Sequence, residues 1–155
     1  MTTMFPARSR MNNRLVSPGG DVMEADAIYT VLNQHPASIN VFIDGLAASA
    51  ASYIAMAGDS IAIAEHGKFM IHNSWGGAIG NPDDMRKMAE ILDTIDTTIR
   101  LIYQRRTEQS DKQLRDWMTA ETWFTGQEAL NNGFADTLLK AKEKPSDSGT
   151  GILDL

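Results

Sequence analysis

Few side chains in this sequence can carry a covalent step. None of the 155 residues is cysteine, so a nucleophile must be Ser, Thr, Lys or a carboxylate, and disulfide frameworks and thiolate metal sites are excluded. Ser49 stands in Gly45 to Gly58, reading GLAASAASYIAMAG, directly after the strand-like run Ile39-Asn40-Val41-Phe42-Ile43-Asp44. There the chain is expected to turn sharply into a helix. A side chain at such a junction projects from the end of a sheet, beside N–H groups that lack helical partners and carry the positive end of the helix dipole. Both features suit a developing oxyanion. The run lacks the Gly-x-Ser-x-Gly elbow of the hydrolases, and a small serine in an Ala-rich helix also serves close packing. Ser52, one turn further in, is expected to bond back to a carbonyl of the preceding turn.

The sequence holds three histidines, which narrows the choice of a base. His35 precedes Pro36 in a connection, and His66 sits in the turn Glu65-His66-Gly67-Lys68; both read as solvated. His72 ends the strand Phe69-Met70-Ile71 and begins Asn73-Ser74-Trp75-Gly76-Gly77. Ligand sites in parallel sheets gather at the carboxyl ends of strands, and Ser49 and His72 both occupy such ends, so they can converge. Ser17-Pro18-Gly19-Gly20 lies at a third strand end. Its glycines either supply a turn or let a backbone N–H approach a substrate carbonyl closely. An acid to orient the imidazole has several candidates, Asp21, Asp93, Asp96, Asp116 and Glu121, and spacing does not choose among them.

These residues need elements to hold them. Leu15-Val16 reads as a short strand, followed by the Gly turn and a helix with Val22, Ala25, Ile28, Tyr29 and Leu32 at helical spacing. Next come the strand Ile39–Asp44, a small-residue helix from about Ala47 to Ala57, and strands at Ser60–Ala64 and Lys68–Ile71. This alternation favours a parallel sheet with right-handed crossovers. Asn81-Pro82 opens a long amphipathic helix to Arg106, with Met85, Met88, Leu92, Ile95, Ile99, Ile102 and Tyr103 on one face. Ser110 with Gln113, and Thr125 with Glu128, are capping-box pairs that mark two further helices. The stretch from Lys142 to Leu155 has the composition of a disordered tail. The short first strand leaves a sheet edge open to pairing with another chain.

The formal charge of −6 argues against a nucleic-acid partner, which demands clustered cations; Arg8, Arg10 and Arg14 are too sparse to reverse this. The first residues hold no continuous apolar stretch of a secretory signal. Leu46 to Ala57, the longest apolar run, falls short of the roughly 20 residues a membrane span needs. A cytoplasmic protein of one domain with one core is expected.

Four segments in order, SPGGDV, GLAASAASYIAMAG, FMIHNSWGG and ETWFTGQEALNNGFADTLL, resemble the ClpP-type serine peptidases. Their wording is most similar to the phage and prophage branch that serves as head maturation proteases. The resemblance covers about residues 14–140, with residues 1–13 as an N-terminal arm and residues 141–155 as the tail. It implies an α/β, ClpP/crotonase-like fold of repeated β-α-β units, a mainly parallel sheet and one long helix after the histidine strand. Position by position, it implies Ser49 as nucleophile, His72 as general base and Glu121 as the acid, where bacterial housekeeping members have Asp. The oxyanion amides fall on Gly20 and Ala50. The strips Gly19, Asp21, Val22 and Asn73, Ser74, Trp75, Gly76, Gly77 resemble edges that grip an extended peptide by strand addition. The resemblance further implies peptide or protein substrates, a ring-forming homo-oligomer with the long helix at the ring-to-ring contact, capsid or scaffold partners, and no metal or organic cofactor. By this resemblance the family's N-terminal helix, early strands and axial loops are expected to be missing or reduced, so docking to an unfoldase ATPase is not carried over. A crotonase-type acyl-CoA enzyme shares the fold without a serine nucleophile. A shortened subunit that works only with a partner keeps the same motifs, and a signal-peptide-peptidase-like enzyme would need a lysine base and a membrane anchor, neither of which is evident.

Overall fold

The computed structural model describes residues 9–140; the expected tail and residues 1–8 of the arm lie outside them. The chain runs β1 (Arg10–Ser17), α1 (Val22–Asn33), β2 (Ser38–Ala48), α2 (Ala50–Ala55), β3 (Ser60–Ala64), β4 (Lys68–Ile71), α3 (Pro82–Thr107), α4 (Asp111–Thr119), β5 (Thr122–Thr125), α5 (Gly126–Asn131) and β6 (Thr137–Leu139). It is a mixed α/β fold with a mostly parallel sheet, as the sequence resemblance implies.

β2 organises the sheet. β1 pairs with it in parallel from Arg10↔Ser38 to Ser17↔Ala47. The first half of β2 also pairs with β3, Asn40↔Ser60 to Ile43↔Ile63, and its last residues pair with β4, Leu46↔Lys68 to Ala48↔Met70. β6 extends the sheet beyond β3 in parallel, whereas β5 runs antiparallel to β4. Inward-facing Ile39, Ile43, Ile61, Ile63 and Ile71 are at most 2% exposed. Each stabilises the fold by about 1.5–3 kcal/mol relative to exposure.

Several boundaries differ from the sequence expectation. β1 begins at Arg10 rather than Leu15, so four residues of the expected arm are strand; pairing with β2 overrides their polar side chains. β2 extends to Ala48, and α2 correspondingly starts at Ala50 rather than near Ala47, because Leu46, Ala47 and Ala48 are held in register by β4. β5 and β6 were not expected. Among the described strands, β1 pairs only with β2, which leaves the open edge expected from the sequence.

α3 matches the expected long helix. The Asn81 side chain accepts from the Asp83 and Asp84 amides, Asp84 returns the bond, and Pro82 sits at the first turn. Glu108, at φ 58°, ends it. Its apolar stripe is buried only in its later part, at Ile99, Ile102 and Tyr103, while Met85 and Ile91 are exposed. The Thr125–Glu128 capping box forms in full at α5; at α4, Ser110 accepts from the Gln113 amide. No helix among the described residues is long and apolar enough to cross a membrane.

Candidate active site

The register of the sheet brings Ser49 and His72 together. Ala48 lies opposite Met70 on the parallel pair β2–β4, so Ser49 follows one residue on and His72 two residues on. The Ser49 amide donates to the Met70 carbonyl at 3.0 Å, tying the turn to β4. Ser49 Oγ and His72 Nε2 are 2.7 Å apart. This is hydrogen-bond contact between a hydroxyl and a ring nitrogen that can accept its proton.

Ser49 holds φ 54° and ψ −127°, a backbone conformation that non-glycine residues seldom adopt and that costs on the order of 1–3 kcal/mol. Three groups hold it there. Gly19, itself at φ 102°, packs so tightly under the turn that a Cβ on it would sit 2.8 Å from the Ala48 carbonyl oxygen and 2.8 Å from Ser49 Cβ. Ser52 Oγ donates to the Ser49 carbonyl at 2.6 Å. That hydroxyl has a single proton, so the Tyr103 hydroxyl, 2.8 Å away, donates to Ser52 Oγ in turn. Ser52 is fully buried and bonds back to the preceding turn as expected. Burial pushes the Tyr103 phenol well above its ordinary pKa, so it stays a neutral donor.

Antiparallel pairing places the acid candidate. Ile71 lies opposite Thr122 at the end of the β4–β5 ladder, so the next residues, His72 and Glu121, face each other. Glu121, at φ 50°, brings Oε2 to 3.7 Å from His72 Nδ1. That is ion-pair range but longer than a hydrogen bond, and the Glu121 side chain is 58% exposed against 17% for His72. Three of the other four candidate acids are engaged elsewhere. Asp21 caps α1, Asp116 pairs with Lys112, and buried Asp96 accepts the Ser74 amide at 2.6 Å. Asp93 is exposed on α3. His35 accepts from the Ala37 amide in an exposed loop, and His66 lies in an exposed turn.

A cleft of about 350 Å³ opens over this pair. Gly20, Asp21 and Val22 line one side and Ser74 and Trp75 the other, with Ala50, Tyr53, Leu92, Ile99 and Tyr103 completing it. Among the described residues, the Gly20 and Ala50 amides find no acceptor, and a Cβ on Gly20 would meet nothing within 4 Å. Of the other expected substrate contacts, Gly19, Asn73, Gly76 and Gly77 lie outside the lining. Gly19 is packed beneath Ser49, and Asn73 spends its amide on the Met118 carbonyl.

Two features escaped the sequence. Tyr103, expected only as part of an apolar stripe, supports the serine turn through Ser52. Asp96, expected only as a mid-helix acid, anchors the loop after His72, with Ser74 Oγ adding a bond to the Leu92 carbonyl at 3.2 Å. No local pattern marks either role, because each depends on α3 packing beside α2 and the loop after His72.

The Clp protease family model matches residues 10–142. The chain is 33% identical over 125 residues to the ATP-dependent Clp protease proteolytic subunit 2 of Thermobifida fusca, covering 79% of this chain and 62% of that protein. It is 30% identical over 126 residues to the subunit of the same name from Mycolicibacterium paratuberculosis, covering 79% and 63%. A third relative, the ATP-dependent Clp protease proteolytic subunit of Ligilactobacillus salivarius, is 30% identical over 131 residues, covering 83% and 66%. The chain thus spans less than two thirds of the length of these relatives.

Proposed function

This chain belongs to the Clp protease family, and on that premise we propose that it is a serine endopeptidase acting through Ser49, His72 and Glu121. Ser49 Oγ attacks a peptide carbonyl while His72 Nε2 takes its proton and returns it to the leaving amine. Glu121 orients the imidazole and stabilises its charged form. The amides of Gly20 and Ala50 hold the oxyanion, which needs donors already aimed at the developing charge. An extended peptide lies between the Gly20–Val22 and Ser74–Trp75 sides of the cleft. The chemistry requires no metal or organic cofactor.

The observation that carries this reading is the 2.7 Å contact between Ser49 Oγ and His72 Nε2 at a strained turn. A crotonase-type enzyme has no use for that contact. Exposed Met85 and Ile91 on α3 support self-association through this helix into a ring-forming homo-oligomer. The wording of the four motifs supports a phage- or prophage-type head maturation protease, acting in the cytoplasm on capsid or scaffold proteins. A partner-dependent subunit is the second reading. The 3.7 Å gap between His72 and Glu121 favours it, since assembly would have to close that gap.

Casein and fluorogenic-peptide cleavage, assayed on size-fractionated protein, tests both. The peptidase reading expects cleavage that coincides with the protein and disappears in Ser49→Ala. Cleavage confined to fractions holding a second polypeptide supports partner dependence. Cleavage that persists in Ser49→Ala refutes the reading.

A further inference from the structure

A second cavity, of about 150 Å³, lies between α1 and α3 and shares Val22, Tyr53 and Ile99 with the cleft over Ser49. Beyond that shared wall its lining is Met23, Asp26, Thr94, Ile95 and Thr98. Four of the eight lining residues, Val22, Met23, Ile95 and Ile99, are aliphatic, and exposed Asp26 adds a carboxylate to them. Tyr53, almost fully buried and stacked on Tyr29 with ring centroids 4.9 Å apart, donates its hydroxyl to Asp26 Oδ1 at 2.5 Å. The aromatic pair thereby fixes where the carboxylate stands. Burial first, and then Asp26, push the Tyr53 phenol far above its ordinary range, so the donor remains protonated.

Asp26 has no cationic partner among the described residues. Neither α1 nor α2 contains a Lys or Arg, and the stretch of α3 facing the cavity, Thr94 to Ile99, contains none either. The next residue, Arg100, is engaged by Asp111 at 2.5 Å. The Thr94 and Thr98 hydroxyls donate to carbonyls one turn back, which leaves their lone pairs as acceptors.

We propose that this cavity is a subsite for a lysine or arginine side chain of the peptide substrate, reached from the Ser49 cleft past Val22, Tyr53 and Ile99, with Asp26 as its charge partner. The aliphatic stem packs on Val22, Met23, Ile95 and Ile99, and the cationic head reaches the Asp26 carboxylate and the threonine oxygens. Long basic side chains divide in this way between apolar walls and a polar end. An apolar side chain in the same place would cover part of the Asp26 carboxylate without supplying a polar partner, which is unfavourable. The inference rests on the peptidase reading and adds to it a preference for basic residues next to the cleaved bond.

The test compares rates of labelling of the full chain by two peptidyl diphenyl phosphonates that differ only in carrying a lysine-like or a leucine-like side chain beside phosphorus. Each rate is divided by that of a simple alkyl fluorophosphonate, which has no such side chain. The wild type is expected to favour the lysine probe, and Asp26→Asn, which keeps an acceptor for Tyr53, is expected to lower the lysine-to-leucine ratio by about two- to fivefold, the scale of a solvent-accessible ion pair. Fluorophosphonate labelling of Asp26→Asn reports that the variant is folded; should it fail, Asp26→Glu must retain the lysine preference. A leucine preference in the wild type, or an unchanged ratio in Asp26→Asn, overturns the subsite while leaving the peptidase reading intact. No labelling of the wild type by the fluorophosphonate overturns the peptidase reading and the subsite with it.

Discussion

Removing the Ser52 hydroxyl should cost more stability than removing the Tyr103 hydroxyl, and removing both should cost less than removing Ser52 alone. Ser52 Oγ donates to the Ser49 carbonyl and accepts from Tyr103, and both side chains are buried. In Ser52→Ala the Ser49 carbonyl keeps the Ser52 amide at 2.9 Å, but the Tyr103 hydroxyl is left without an acceptor. An orphaned buried donor costs about 1–3 kcal/mol and the lost bond to the carbonyl about 1 more, giving about 3 kcal/mol in total. In Tyr103→Phe, Ser52 still donates to Ser49 and the loss is about 1 kcal/mol. The double variant orphans no donor and should lose about 1–2 kcal/mol, so the pair couples with a favourable sign. Urea unfolding of the four proteins, with a shared slope, measures this. Equal losses in the two single variants, or a double loss equal to their sum, would refute the proposed direction of the hydrogen bonds.

Gly19→Ala should lose at least about 1–3 kcal/mol from its positive φ alone and slow labelling of Ser49, whereas Gly20→Ala, with open space at its Cβ, should leave stability near wild type; chemical denaturation and labelling rates report both. Glu121→Ala should lower peptide turnover by about 10- to 100-fold, less than the ~10⁴ known for a buried triad acid, because Glu121 is half exposed and 3.7 Å from the ring. Asp116→Ala should have little effect on turnover; the reverse order would move the acid. The Arg100 guanidinium holds the Asp111 carboxyl below its ordinary value of 3.8. A depressed carboxyl stabilises the fold above its unfolded-state pKa and loses that contribution as pH falls through the folded-state value. Acid unfolding should therefore show a fall in stability below about pH 4 that is smaller in Asp111→Asn.

Much of the site was legible because it sits where strand ends and glycines leave local signals. Ser49 and His72 follow strands whose apolar runs stand out, and Asn81-Pro82 announces α3. The strand registers were not legible, and they do the positioning. Gly45-Leu46-Ala47-Ala48 has helix-compatible composition, yet β4 pairing keeps it extended and so delays the turn to Ser49 itself. Thr122–Thr125 carried a visible helix cap that concealed β5, which sets Glu121 opposite His72. The support of Ser49 by Tyr103, the anchoring of Ser74 by Asp96 and the bond from Tyr53 to Asp26 join elements far apart in the chain. Single-segment periodicity carries no record of such contacts.

A peptidase of this design depends on the reactivity of Ser49. Intact-protein and peptide mass spectrometry after fluorophosphonate treatment should find one adduct, on Ser49, that is absent from Ser49→Ala, strongly slowed in His72→Ala and retained in Ser52→Ala. An adduct that persists in Ser49→Ala and vanishes in Ser52→Ala, or no adduct on wild-type protein in any size fraction, would contradict it.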